Sequence, residues 1–293
     1  MKIANPIYDA AFKYLMEDSK AAKLLISTIL DQEVESLEYK PQEHIVDIDR
    51  SDSKFTVYRL DFAAQIKTPE GVKTVLIEIQ KAKFPSDIMR FRRYLGSQYS
   101  NKNNISRVNN FDLPTPIITI YILGYMLEVF RAPVVKINRQ AIDAITEEVL
   151  LGREEFVEGI THDAYIIQVP LLQPKRRTTL EHVLEIFDQD NMTSENHILN
   201  IKEENFPEKY QPIIRRLQSA IVSEELCQRM IIEDEIIGDF QCVERELAIY
   251  RGELTDARKE LIDARKELES RDIELGNKDK LIAELMAKIT DNK

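Results

Sequence analysis

Leu247, Leu254, Leu261, Leu268, Leu275, Ile282 and Ile289 recur every seven residues without a miss. A strict seven-residue apolar period keeps one seam of a helix turned toward a partner helix and drives left-handed supercoiling. The interleaved column is weaker: Tyr250, Ala257, Ala264, Arg271, Lys278 and Leu285. A literal repeat sits inside, from Asp256-Ala-Arg-Lys-Glu-Leu-Ile to Asp263-Ala-Arg-Lys-Glu-Leu-Glu. Residues 247–293 are therefore expected to form a coiled coil that joins copies of the chain. A lone charged helix with an incidental stripe is the simpler alternative. Alanine in the second column permits close approach, and the seam does not fix the number of helices.

The rest of the chain has a different texture. Of 293 residues, 43% are hydrophobic and 31% charged, enough apolar mass for a packed core beside a solvated helix. No run approaches 18 apolar residues, so no membrane span is expected. The opening MKIANPIYDAAFK has no apolar signal core, which places the expected location in the cytoplasm. Cys227 and Cys242 cannot build a disulfide framework, and His44, His162, His182 and His197 show no ligand spacing. A formal net charge of −11 repels nucleic acid unless a local basic patch intervenes. Three zones follow: a mixed α/β domain over 1–204, a helical extension over 205–246, and the coiled coil.

Two strand-like runs carry the chemistry. Residues 55–67 and 72–81 flank Thr68-Pro69-Glu70-Gly71, whose Pro and Gly suit a type I turn. Pairing Lys67 with Val72 puts Asp61 across from Glu78 and Arg59 across from Gln80. One face is then apolar: Leu60, Phe62, Ala64 and Ile66 against Val75, Ile77 and Ile79. The other bears Asp61, Gln65, Glu78 and Gln80. Like charges directly opposed destabilise a strand pair. Two carboxylates meeting there want a shared proton or a divalent cation; an ordinary exposed sheet face fits the same spacing.

Asp61, a hairpin turn, then Glu78-Ile79-Gln80 resembles the active-site signature of the PD-(D/E)XK nuclease superfamily. More narrowly, it is similar to the recombination-promoting nuclease/putative transposase family, in which Gln replaces the usual Lys. Asp9-Ala-Ala-Phe12-Lys13 resembles that family's opening D-x-x-F-K element, and Phe91-Arg-Arg93-Tyr94 with Gln98-Tyr99 its basic–aromatic helix. The strands Ile117–Leu123 and Tyr165–Leu172 occupy the places of its later strands. The likeness spans residues 5 to 200. It implies a restriction-endonuclease-like αβββαβ core and metal-dependent cleavage of DNA phosphodiesters. By the same resemblance Asp61 and Glu78 bind Mg²⁺ (or Mn²⁺), Asp9 adds an acidic ligand, and Gln80 stands where the superfamily's Lys orients the attacking water. Lys83, beyond the strand, swings back toward the site.

Residues 81–110 hold seven basic residues against one acid, Asp87. A helix starting near Ser86 or Asp87 is expected to bury Ile88, Phe91, Leu95 and Tyr99 and to turn Arg90 and Arg93 to another face. Arg90, Arg93 and Lys102 are the expected phosphate contacts, in a composition that positions a backbone without reading bases. The expected function is a Mg²⁺-dependent DNA endonuclease that self-assembles through its tail. The alternative is a catalytically degenerate nuclease fold that binds DNA or acts as a coiled-coil interaction protein.

Overall fold

The computed structural model describes residues 1–39, 43–46, 56–59, 62–83, 87–108, 111–152, 154–173 and 177–290. The chain opens with strand β1 (Lys2–Ala4) and helix α1 (Asp9–Glu17), which buries Ala10, Ala11, Phe12, Leu15 and Met16. Asp18 both ends α1 and starts α2 (Ser19–Leu30): its side chain accepts from the amides of Lys20 and Ala21, each at 2.9 Å. Those amides otherwise lack partners at a helix start, so one aspartate fixes the corner between the two helices. Asp31, in the left-handed conformation at φ 51°, closes α2.

Strands β2 (Ser36–Tyr39), β3 (Glu43–Val46), β4 (Thr56–Arg59), β5 (Phe62–Thr68) and β6 (Gly71–Gln80) follow, then helix α3 (Asp87–Ser100). A small hairpin of β7 (Ile105–Val108) and β8 (Phe111–Pro114) precedes β9 (Ile117–Leu123) and β10 (Val134–Ile137). Helix α4 (Glu155–Ile160), strand β11 (His162–Gln168), helix α5 (Thr179–Leu184), strand β12 (Ile198–Asn200), and helices α6 (Gln211–Val222) and α7 (Glu224–Thr290) complete the chain.

The protein is mixed α/β, built on a mixed six-stranded sheet in the order β10-β11-β9-β6-β5-β2. β2, β5 and β6 run antiparallel in sequence, whereas β9 pairs parallel with both β6 and β11. The β5–β6 register runs from Phe62↔Ile77 to Thr68↔Gly71, the pairing read from the sequence. One expectation is corrected. Residues 56–59 do not continue along β6: β4 pairs with β3, and Arg59 lies opposite Glu43, not Gln80. Beyond Ile77, strand β6 continues its other ladder with β9, Glu78 beside Tyr121 and Gln80 beside Leu123.

The strand period sorts the residues between two faces. Phe62, Ala64, Ile66, Val75, Ile77, Ile79, Ile118, Ile120, Ile122 and Ile167 join the main core with α1, α2 and α6. Ala63, Leu76 and Ile117 face the other way, under Tyr94 and Leu95 of α3. Buried on both faces, the parallel strands read as continuous apolar runs. Within residues 205–246, α6 inserts Ile213, Ile214, Leu217 and Ala220 into that main core. The chain divides into two compact units, Met1–Asp234 and Glu235–Lys293. Among the described residues no helix is long and apolar enough to cross a membrane.

Candidate functional site

Glu78 stands two residues before the end of β6, on the face that α3 covers, and is only 2% exposed. Its Oε1 accepts from the Gln80 amide at 2.8 Å and from the Arg90 guanidinium at 2.9 Å. Its Oε2 is buried and has no hydrogen-bond partner among the described residues. Burial raises the carboxyl from its ordinary range to about 7; Arg90 and Gln80 pull it down, and the charge of Asp9 pushes it up again. The desolvation penalty thus outweighs an ion pair of good length, as expected for a carboxylate taken out of water.

The register explains why Gln80 reaches Glu78: two residues apart on one strand, their side chains leave the same face. Arg90 arrives from α3, and here the helix differs from expectation. The buried side of α3 is Phe91, Tyr94 and Gln98, while Ile88 is 73% exposed and Tyr99 is also exposed. Tyr94 fills the space over Ala63 and Leu76, and Gln98 is held by Asn104 through a 2.8 Å bond to its Oε1. That rotation brings Arg90 toward the sheet and leaves Arg93 exposed. Arg90 and Arg93 therefore differ in setting: Arg90 is ion-paired with Glu78, and Arg93 is exposed on the helix.

The other expected residues are distributed as follows. Asp9 opens α1, held by Lys13 at 2.6 Å, and is close enough to Glu78 to shift its titration. Lys83 is exposed and pairs with Glu128 at 3.4 Å. Lys102 is exposed in the turn beyond α3, whose run from Arg90 to Ser100 spans about 15 Å at 1.5 Å per residue. Asp61 lies outside the described residues. Glu78, Gln80 and Arg90 are in contact and Asp9 is an electrostatic neighbour; Lys83 and Lys102 are not brought to that group.

A second set of side chains, with no recognisable motif of its own, adjoins Asp9. Glu233 of α7 accepts from the Asp9 backbone amide at 3.0 Å and so serves as the cap that Tyr8, at the N-cap position of α1, does not provide. Burial raises Glu233 to about 7. Asp234 takes the Tyr8 hydroxyl at 2.8 Å and is ion-paired with Lys81, whose ammonium also lies over the Tyr8 ring, 3.4 Å from its centroid. Burial lowers the Lys81 ammonium and raises the Tyr8 phenol. These contacts fasten α7 to the end of β6 across more than 150 residues of chain, a distance no local pattern encodes.

Gly124 fixes the end of β6 from the other side. Its amide donates to the Gln80 carbonyl at 2.7 Å, and an added Cβ there would run into the Lys81 carbonyl. His162, on β11, lies on the covered face; its Nδ1 meets the Tyr99 hydroxyl at 2.9 Å, and burial lowers its pKa.

Among the described residues, no group of three or more His, Cys, Asp or Glu forms a metal-ligating cluster. The donors that do occur are of the hard-oxygen kind: one or two carboxylates, with a buried Glu78 oxygen that has no partner among the described residues. Comparison with protein-family models, with curated proteins and with solved structures yields no match.

Proposed function

We propose that the protein is a Mg²⁺-dependent DNA endonuclease of the PD-(D/E)XK type, related to the recombination-promoting nuclease/putative transposase family. The observation that carries this reading is the Glu78 carboxylate: buried near the end of a central strand, steadied on one oxygen by Gln80 and Arg90, and without a partner on the other among the described residues. The order of elements supports it as well. Helices α1 and α2, the antiparallel β2, β5 and β6 of the six-stranded sheet, the covering helix α3 and the parallel β9 come in an order compatible with an αβββαβ core, with β3–β4 and β7–β8 as separate hairpins between them.

Glu78 and Asp9 would hold the cation, with Asp61 completing the set implied by the family motif. When bound, Mg²⁺ polarises the phosphate and lowers the pKa of its water. Gln80, a neutral donor, orients Glu78 and presents its amide toward an incoming phosphate or water. Arg90 has two tasks. It steadies the buried carboxylate in the free protein, and its half-exposed guanidinium offers a positive group to a phosphodiester at the same place.

The test is cleavage of supercoiled plasmid with Mg²⁺ or Mn²⁺, using Glu78→Ala and Asp61→Ala as controls. Cleavage that both substitutions abolish is the expected result. The Arg90–Glu78 pair also favours a second reading, in which arginine has taken the cation's place and the fold holds DNA without cutting. Binding that weakens steeply with salt, with plasmid left intact by both metals, selects that reading.

A further inference from the structure

Beside Glu78 and Gln80 lies a cleft of about 340 Å³ that phosphodiester chemistry alone does not require. Its walls are apolar and aromatic: Phe91, Leu95, Tyr121, Leu123 and Tyr125. Phe91 and Tyr121 pack together, with ring centroids 4.1 Å apart and planes tilted by 56°. Hydrogen-bonding groups sit among these walls. Glu78 and Gln80 are its buried members, and His162 lines the cleft with Nδ1 engaged by Tyr99. Arg92, exposed, stands at the opening.

The geometry points to this cleft as a pocket for one unstacked base of a single DNA strand, seated beside the phosphate that Glu78 addresses. The assignment rests on the hydrolytic reading above and names its substrate more closely. A flat ring with donors and acceptors on its edge matches aromatic walls and a polar end. The anionic backbone to which that ring is attached matches the arginine at the opening. A space of this size takes one base with its sugar and excludes a base pair within a duplex, so the strand must be single or locally opened to enter.

The experiment measures binding in EDTA, where no cleavage can occur. The probes are a short fluorescent oligothymidylate and an abasic deoxyribose-phosphate chain of equal length and charge. Base stacking on aromatic side chains predicts that the abasic chain binds about tenfold or more weakly. Tyr125→Leu and Ile88→Ser, the second at an exposed position on the cleft where folding is not at stake, should shrink that difference while leaving abasic binding unchanged. Equal affinity for the two probes overturns the pocket, as does a base preference that persists undiminished in both variants. The two readings fail separately: a base preference without any plasmid cleavage retires the hydrolysis and keeps the pocket, and cleavage without a base preference does the reverse.

Discussion

At the scale of single residues, Glu78 governs the pH response. A carboxyl raised to about 7 is neutral below that value and charged above it. On the proposed function a divalent cation has to displace that proton, so cleavage should rise with pH, by up to about tenfold per unit while Glu78 is protonated. A pH–rate profile under single-turnover conditions checks this, and Glu78→Gln should remove both rate and slope. Stability runs the opposite way. Between the ordinary 4.5 and about 7, the folded state binds more protons than the unfolded one, so stability falls as pH rises through that window. Glu233 shifts in the same direction and adds to the trend. Arg90→Met probes the pair directly. Without the guanidinium the Glu78 charge is buried alone, so its midpoint should move above 7. The loss of stability should be about 2 kcal/mol at pH 8, discounted for the solvent that still reaches Arg90, and much smaller at pH 5. Urea denaturation at the two pH values measures it; equal losses at both would show that the pair carries no charge coupling.

At the scale of elements, the end of β6 is held from several sides: Gly124 on the β9 side, Lys81 through Asp234, and Arg90 from α3. Gly124→Ala pushes a methyl against the Lys81 carbonyl, and the strand end must move to accept it. The expected outcome is a loss of about 1–3 kcal/mol in thermal or urea unfolding, together with a cleavage defect larger than that stability loss explains at a permissive temperature. The period-two alternation of Phe62, Ala64 and Ile66 against Val75, Ile77 and Ile79 was legible in the sequence, because a strand buried on one face writes its register into every second residue. The rotation of α3 was not. Its sequence offers apolar groups on more than one side, and burial of Tyr94 and Gln98 depends on the gap above Ala63 and on Asn104 beyond the helix. The ion pair between Arg90 and Glu78 follows from that rotation and has no signature in the sequence. Glu233 was invisible for another reason: its partner is the backbone amide of Asp9, which leaves no side-chain signature.

At the scale of the whole molecule, the seven-residue period now has a physical setting. Helix α7 runs to Thr290, and Leu247, Leu254, Leu261, Leu268 and Leu275 are each about half to two-thirds exposed. Within Glu235–Lys293 the side-chain ion pairs are local, such as Glu267–Arg271 at 2.7 Å and Glu274–Lys278 at 3.0 Å. Pairs of that kind contribute roughly 0.2–0.5 kcal/mol each, too little to hold so long a helix against fraying without tertiary packing. On the proposed self-assembly, a second copy supplies that packing by covering the leucine seam. Helix content should therefore rise with protein concentration, and the full chain should sediment as an oligomer. Leu254→Asp with Leu261→Asp should give a monomer whose tail loses helix while the Met1–Asp234 unit melts as before. Self-pairing also has a consequence for chemistry. One particle then carries two Glu78 sites, so an endonuclease should convert supercoiled plasmid to linear as well as nicked product, and the monomeric variant should shift the products toward nicks. A full chain that sediments as a monomer at every concentration, with its tail fully helical, would show instead that the seam serves some other partner.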